Sequence, residues 1–335
     1  MSISQENKEN IANVYIQLGY EKNDPFHNLY EIDSKLTIPK EGKIFLGDPE
    51  NKRCRFCNQD KSTTKFQHKA HIIPEFMGNK KYFSNFECDS CNTHFSAYES
   101  SLSNYGGILN TFSKLKGKTG YQKHKGINEN TETYIENGNI KMLIHNPIDS
   151  SSEKQNKSIA LGSKKDNITF NTNKYSYVPI NAYKALIKIG FCMLDSIYLE
   201  DYESTRKWLL DQSELKINSN NPLFQVFQKI GGRLFPHPWS ILMKKRKIFE
   251  NQPSPSHVLL LFYGLFAFQI FLPGNRNDDW IWEKNKIILP IENHISYSRK
   301  DSKNNIKLGV DKIDFSSNVL IKNPKQIFSV DFKQT

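Results

Sequence analysis

The strongest hydrophobic pattern in the chain runs over residues 180–198, where apolar side chains recur at the spacing of a helix. The repeating positions are Tyr183, Leu186, Ile187, Ile189, Met193 and Leu194. A period near 3.6 residues predicts a helix with one buried face, and Asn181 lies near its expected N-cap. A second, shorter helix is predicted over residues 201–210. The two segments together indicate a helix pair.

Short apolar runs bounded by turn residues predict strands along much of the remaining chain. These runs cover residues 36–39, 43–47, 132–135, 140–144, 158–161, 168–170, 223–227, 239–243, 257–262, 265–272 and 280–288. Gly264 is expected to form a turn or bulge between two buried strands. Residues 8–19 are predicted to form a short helix, and residues 149–156 a polar loop. Strands in series beside a helix pair are typical of an α+β protein with antiparallel sheets.

The length of 335 residues is comfortable for two domains. The pattern divides the chain into an N-terminal adaptor segment (1–50), a small module (51–112), a basic linker (113–126) and a larger C-terminal α+β domain (127–335). The C-terminal domain has no residue spacing that names a ligand. Its role is therefore left open between regulation and the binding of a substrate or partner.

The chain is basic, with 46 Lys and Arg against 35 Asp and Glu and a net charge of +11. A basic surface favours polyanions such as nucleic acids, because phosphates are neutralised and counterions are released. Genome composition alone also produces basic proteins. Residues 43–125 carry +7 of the excess, and residues 114–125 contain five lysines, Tyr121 and His124 but no acid. This basic segment is either a solvated linker or a segment that contacts phosphates.

Four of the five cysteines form two C-x-x-C pairs, Cys54 with Cys57 and Cys88 with Cys91. The N-terminal residues are polar and show no export signal, so these pairs are predicted to be metal ligands rather than disulfides. Four sulfur ligands in tetrahedral geometry form a closed, structural zinc site. The alternative ligand sets replace one cysteine by His68, His71 or His94. Cys192 lies in the apolar helical pattern and is expected to be a buried thiol.

A histidine and an asparagine accompany the cysteine pairs. His71 precedes a short strand-like run that Pro74 closes, and Asn92 directly follows Cys91. The residues after Cys91 predict a helix, on which Glu99 lies two turns beyond Asn92 and on the same face. The order is strand, strand, helix, with zinc tying the start of the helix to the first cysteine pair. This order is expected to place His71 opposite Asn92.

In order and spacing, these residues resemble the HNH, or ββα-metal, endonucleases, and in particular the zinc-stapled branch that includes phage recombination endonuclease VII. The resemblance covers residues 52–111 and implies a small treble-clef module that hydrolyses phosphodiester bonds. It implies His71 as general base, Asn92 as a ligand or orienting group for catalytic Mg²⁺ or Mn²⁺, and Glu99 as a second oxygen ligand. These roles agree with the chemistry, since a neutral imidazole accepts a proton from water and Mg²⁺ prefers oxygen ligands.

The resemblance is incomplete at Ala70, where the family usually has an Asp, Glu or His that binds the catalytic metal. His68 or Glu99 would then have to supply the missing ligand. Each of these residues also has a structural interpretation. His71 would be a histidine bonded to the backbone, Asn92 a helix cap, and Glu99 and His68 surface residues.

The sequence thus predicts a metal-dependent HNH endonuclease that acts on DNA, with RNA as the alternative to DNA left open. Small HNH modules joined to unassigned domains suggest, by analogy, an effector of bacterial anti-phage defence or restriction, with a second copy or a partner defence protein as further partners. The alternatives are a non-catalytic zinc protein that binds nucleic acid, which Ala70 favours, and an interaction protein that zinc only stabilises. The longest apolar run, residues 258–272, is too short to span a bilayer, so a cytoplasmic protein without a membrane partner is expected.

Overall fold

The computed structural model describes residues 13–18, 24–37, 41–126, 131–144, 159–161, 167–215, 224–284, 286–300 and 306–331. The helices are α1 (Pro25–Leu29), α2 (Asp89–Gly106), α3 (Ile108–Phe112), α4 (Pro179–Met193) and α5 (Glu203–Leu209), and short 3-10 helices cover Glu75–Met77, Ser196–Tyr198, Lys247–Phe249 and Arg276–Glu283. The strands are β1 (Asn13–Leu18), β2 (Tyr30–Leu36), β3 (Ile44–Leu46), β4 (Ala70–His71), β5 (Tyr82–Ser84), β6 (Lys116–Gly117), β7 (Gly120–Tyr121), β8 (His124–Lys125), β9 (Thr131–Glu136), β10 (Asn139–Ile144), β11 (Ile159–Leu161), β12 (Asn167–Asn173), β13 (Gln225–Lys245), β14 (His257–Phe271), β15 (Lys286–Ile291), β16 (Tyr297–Lys300), β17 (Ile306–Gly309), β18 (Asp311–Asp314) and β19 (Lys325–Asp331). Helices together with mainly antiparallel sheets confirm the predicted α+β class.

The C-terminal part is built around a sheet with the strand order β14-β13-β18, in which β2 also pairs with β13. Strand β14 is buried over almost its whole length, as expected for an apolar strand covered on both faces. Gly264 lies within this strand at a φ of 52°. A Cβ at this position would overlap the side chain of Ser113, so only glycine fits there. The two strands predicted on either side of Gly264 are therefore one strand, and its pairing with β13 is irregular on both sides of Gly264.

The small module consists of a three-stranded sheet, ordered β3-β5-β4, and helix α2. Strand β4 is antiparallel to β5, which pairs Ala70 with Ser84 and His71 with Phe83. Helix α2 begins immediately after Cys88, which is its N-cap. The predicted order of strand, strand and helix is thus present as β4, β5 and α2.

Helix α2 packs against α4, and one continuous hydrophobic core includes both helices. The ring of Phe56, from the first cysteine pair, lies 4.5 Å from the Phe95 ring on α2 and 5.5 Å from the Phe191 ring on α4. Arg55 donates from Nη1 to three carbonyls at the end of α4, those of Phe191, Cys192 and Leu194. These bonds satisfy carbonyls that the helix itself leaves unpaired. Helix α4 therefore fixes the position of the small module.

The segment predicted as a basic linker contains strands β6, β7 and β8. Strands β6 and β7 form a hairpin, and β8 pairs with β9. His124 in β8 is buried and its Nε2 lies 3.2 Å from the Thr172 hydroxyl, while the five lysines of the segment are exposed. The segment is thus a folded element that presents its lysines to solvent.

Several predicted elements differ from those observed. Residues 13–18, predicted as helix, form strand β1, which pairs in parallel with β15. The predicted strand 280–288 begins with the 3-10 helix Arg276–Glu283, and the predicted helix 180–198 ends at Met193. Within the predicted strand 36–39, Leu36 is the last residue of β2 and Thr37 lies outside it. The predicted residues 8–12, 19, 38–39, 149–156, 158, 223 and 285 lie outside the described residues.

Candidate functional site

The four paired cysteines converge on one point beside the start of α2. Their sulfur atoms all lie within 4.8 Å of one another. Cys54 Sγ is 3.6 Å from Cys91 Sγ, and Cys57 Sγ is 3.7 Å from Cys88 Sγ. A tetrahedral zinc ion with Zn–S bonds of about 2.3 Å separates its sulfur ligands by about 3.8 Å. The cluster therefore fits zinc with four sulfur ligands, and the alternative histidine ligands are not part of it.

Local backbone geometry explains how the sequence forms this cluster. Asn58 closes the turn of the first pair at a φ of 60°, a left-handed conformation that asparagine tolerates. Its N–H donates to Cys54 O at 2.9 Å, and the Cys54 N–H donates to Gln59 O at 2.7 Å. Backbone N–H groups of Phe56, Cys57 and Cys88 also donate to the Cys54 sulfur. Such donors stabilise the thiolate form that zinc binds.

His71 lies on the edge strand β4, with its ring beside the Phe83 ring at a centroid distance of 4.7 Å. Its side chain is 22% exposed, and its Nε2 lies 3.7 Å from Glu75 Oε2. Burial lowers the pKa of His71; the Glu75 carboxylate opposes this, and nearby lysines lower the pKa further. The imidazole is therefore neutral at pH 7, which is the form that accepts a proton.

Asn79 stabilises the turn between β4 and β5, although the sequence pattern does not single it out. Its Nδ2 donates to the carbonyls of Ile73 at 2.7 Å and Tyr82 at 2.9 Å, and its Oδ1 accepts from two backbone N–H groups of the same turn. Asn79 Nδ2 also lies 3.5 Å from His71 Nδ1. Its two hydrogens are already donated to the carbonyls of Ile73 and Tyr82, so His71 Nδ1 can still accept a hydrogen bond from another group. The dipeptide Gly78-Asn79 was the available turn signal in the sequence.

The other predicted site residues make no hydrogen bond, ion pair or ring contact with this ring among the residues that the structure describes. Asn92 is in the first turn of α2, after the N-cap Cys88, so it is not the helix cap. Its side chain is half-buried and makes no hydrogen bond to the described residues, and the exposed side chain of His68 makes none there either. Glu99 Oε1 pairs with Lys188 at 3.4 Å. Within the described part of the chain, no hydrogen bond or ion pair joins these three side chains to the His71 ring.

Ala70 is fully buried and pairs with Ser84 in the sheet. Neighbouring residues of a strand point to opposite faces, so position 70 faces away from the side of β4 that carries the His71 ring. Among the described residues, the carboxylate that pairs with this ring is Glu75, four residues later in the 3-10 helix. The acidic residue beside His71 is therefore Glu75, and not a residue at position 70, where HNH endonucleases usually have it.

Lys188 reaches the module from helix α4. Its side chain is fully buried, and Nζ donates to the backbone carbonyl of His71 at 2.8 Å. Nζ also lies 3.1 Å from Glu87 Oε2 and 3.4 Å from Glu99 Oε1. Burial opposes the charge of Lys188, but the two carboxylates raise its pKa above the ordinary value. Burial also raises the pKa of Glu87, to about 7, so this buried carboxyl is far less acidic than usual.

Asp89, the first residue of α2, ties the segment before His71 to the helix. Its carboxylate accepts the N–H groups of Gln67 at 3.0 Å and His68 at 2.9 Å, and its own N–H donates to Lys65 O at 2.9 Å. A carboxylate in the first turn also interacts favourably with the helix dipole. The contacts fix how the chain approaches β4.

A small sheet, a cysteine cluster that fits zinc, and a helix that starts at the second cysteine pair define the HNH class of module. Residues 54–103, about one seventh of the chain, match the family model described as HNH endonuclease, which confirms the predicted resemblance. The matched segment includes both cysteine pairs, His71, Asn92 and Glu99. No curated protein and no solved structure matches the chain. Among the helices described, none has the length and apolar character needed to cross a membrane.

Proposed function

We propose that this protein is a metal-dependent endonuclease that hydrolyses phosphodiester bonds of DNA. One observation carries this assignment: within residues 54–103, the family match coincides with a cysteine cluster that fits zinc and with a neutral histidine on the adjoining sheet. Four sulfur ligands leave zinc no open position, so we assign it a structural role. The chemistry is assigned to the residues around His71.

We assign His71 the role of general base. The water that attacks phosphorus must lose a proton, and a neutral imidazole within reach accepts it. Phe83 and the strand hold the ring, and burial keeps it neutral. The Glu75 carboxylate near Nε2 stabilises the imidazolium ion that forms, because opposite charges attract.

Asn92 and Glu99 are the oxygen donors that we propose for catalytic Mg²⁺ or Mn²⁺. The Asn92 amide has no hydrogen-bond partner among the described residues, and only Oε1 of Glu99 contacts Lys188. A donor set of amide and carboxylate oxygens suits a hard cation. When bound, such an ion neutralises phosphate charge and stabilises the leaving oxygen. We retain His68 as a further ligand candidate, because Ala70 provides none.

The rate of cleavage is expected to fall to half at a pH below about 6.5, the ordinary pKa of histidine. Burial lowers the pKa of His71, so the neutral base persists to lower pH. In Glu75→Gln, loss of the carboxylate that raises this pKa is expected to move the acid limb of kcat/KM to still lower pH. In Lys80→Met, loss of a cation that lowers the pKa is expected to move it to higher pH. Profiles of kcat/KM against pH measure these shifts, and shifts of the same sign in both variants would contradict them.

The basic segment contacts the proposed site through strand β6. Strand β6 contacts the 3-10 helix Glu75–Met77, and Lys80 Nζ donates to Gly117 O at 2.8 Å. The charges of Lys43 and Lys80 also act on the His71 ring. Cations beside a general base fit the phosphates of a nucleic acid backbone, whose contacts position the substrate without reading its sequence.

Replacing both Lys116 and Lys118 by Gln is expected to weaken DNA binding several-fold and to lower the salt dependence of log Kd by up to about two. The rate at saturating DNA should stay unchanged, because neither lysine touches the His71 ring. Fluorescence anisotropy of labelled duplex at several salt concentrations measures both effects. The control exchanges exposed Lys247 and Lys312, which removes the same charge elsewhere. Equal weakening by both pairs would show that only net charge matters.

Labelled DNA and RNA of one sequence, each incubated with Mg²⁺, Mn²⁺ or EDTA, test the proposed function. We expect internal cleavage of DNA that requires the divalent ion. Cleavage confined to RNA would reassign the substrate. Binding of DNA without cleavage under any of these conditions would favour the second candidate, a zinc module that only binds nucleic acid.

The buried Ala70 is the observation that favours this second candidate, since it removes a usual metal ligand. The neutral His71 beside Glu75 favours catalysis, because a binding module needs no proton acceptor there.

We also propose that the nuclease acts in the cytoplasm as an effector of anti-phage defence or restriction. The support is the joining of an HNH module to a larger α+β part through one hydrophobic core. A plaque assay on cells that express the wild type or His71→Ala tests this role; equal plaque counts would oppose it.

A further inference from the structure

Three segments of the HNH module contact the same buried cation, the ammonium group of Lys188, which lies outside the module. Lys188 Nζ contacts His71 O on strand β4 and the carboxylate of Glu99 on helix α2. It also contacts the carboxylate of Glu87, the residue just before the second cysteine pair. Lys188 belongs to α4, outside residues 54–103. Through Lys188, the C-terminal part contacts the backbone of the proposed base.

Burial of the Lys188 ammonium group is unfavourable unless the group is paired and hydrogen-bonded. The neighbouring α4 residues Ile187 and Ile189 are fully buried apolar side chains. An apolar residue at 188 would therefore suit the core, whereas lysine suits the carbonyl and carboxylates that face it.

The strand that carries His71 also needs support from outside the sheet. Strand β4 has two residues and lies at the edge of a three-stranded sheet, where β5 is its one neighbour. So short an edge strand is held by few hydrogen bonds. The bond from Lys188 to His71 O adds a charged donor, which forms a stronger hydrogen bond than a neutral one.

We propose that Lys188 is a positioning residue that holds His71 and Glu99 in their catalytic arrangement, so that the C-terminal part completes the nuclease site. This inference rests on the proposed function. The Lys188 side chain is fully buried, so it acts through the carbonyl of the base and through the carboxylate of a proposed metal ligand.

The test removes Lys188 without leaving an unpaired charge in the core. The double variant Lys188→Met/Glu87→Gln removes both charges of the fully buried ion pair. The single variant Glu87→Gln keeps Lys188 and its contacts with His71 O and Glu99. The matched control is Lys184→Met/Asp211→Asn. Lys184 is one turn earlier on α4, is also buried, and pairs with Asp211 rather than with the site.

The double variant at 188 and 87 is expected to lose about 10- to 100-fold in kcat with an unchanged KM for DNA and an unchanged zinc content. Glu87→Gln and the control pair are expected to cleave at nearly the wild-type rate. A double variant with wild-type kcat would overturn the positioning role. Equal losses in the control pair would also overturn it, since the effect would then belong to the helix in general.

NMR titration of the His71 imidazole provides a readout that does not depend on cleavage. The charged groups that act on this ring are Glu75, Lys188, Lys80 and Lys43. Removal of Lys188 is expected to shift the ring resonances and raise the His71 pKa, whereas the control pair should change neither. Unchanged resonances and pKa in the double variant would contradict the proposed contact. If the wild type cleaves no DNA, the proposed function fails, and the titration alone still decides whether Lys188 positions His71.

Discussion

Replacing His71 by alanine is expected to lower the rate of DNA cleavage by about 10²–10⁴-fold, the usual contribution of a general base. The loss follows because, among the described residues, no second histidine contacts the His71 ring and could accept the proton in its place. The fold should persist, since the His71 side chain contributes a ring contact to Phe83, a weak ion pair with Glu75 and a 3.5 Å contact with Asn79. Single-turnover cleavage of a labelled duplex measures the rate.

The control for this variant is His94→Ala, a second partly buried histidine of the same module. Its Nε2 lies 3.0 Å from Tyr98 Oη and 3.1 Å from Leu209 O, on the side of α2 that packs toward α5. We expect His94→Ala to cleave at nearly the wild-type rate. Similar losses in both variants, or full activity of His71→Ala with its zinc retained, would show that His71 is not the base.

Replacing Cys88 by alanine is expected to release zinc and unfold the module. Binding of a structural zinc contributes about 10–16 kcal/mol in zinc-finger peptides, which is as large as the whole stability of many proteins. Because α2 and α4 share one core, the loss is expected to spread into the C-terminal part. Zinc per chain and the thermal unfolding temperature measure both effects.

Cys192→Ala is the matched control, because Cys192 is buried but lies outside the cysteine cluster. It should keep one zinc per chain and lose only about 1–2 kcal/mol of stability, as is usual for a single core truncation. Retention of zinc by Cys88→Ala, or equal destabilisation of both variants, would contradict the four-sulfur site.

The sequence predicted those features of the fold and the site that depend on residues close together in the chain. The two C-x-x-C pairs predict a cluster because each pair forms its own turn, and the structure brings their four sulfurs together. The apolar period of α4 predicts that helix because its repeat covers several turns. The order of strand, strand and helix around His71 follows from the same short segment.

Features that depend on distant partners were not predictable in this way. Lys188 interrupts an apolar helical pattern, and the carbonyl that it bonds lies 117 residues away in the chain. Strand β1 pairs with β15 near the other end of the chain, so its own residues gave no reason to prefer a strand over a helix. Glu75 and Asn79 acquire their contacts with His71 only when the turn between β4 and β5 folds.

Nicking of a supercoiled plasmid by the wild-type protein, with Mg²⁺ or Mn²⁺ and with EDTA, tests the central claim most directly. We predict nicked and linear products that require the divalent ion, disappear with EDTA, and return when Mg²⁺ is added in excess without zinc. That return would separate the catalytic ion from the zinc held by the cysteines. A plasmid that the protein binds but leaves intact at every ion concentration would contradict the assignment as a nuclease.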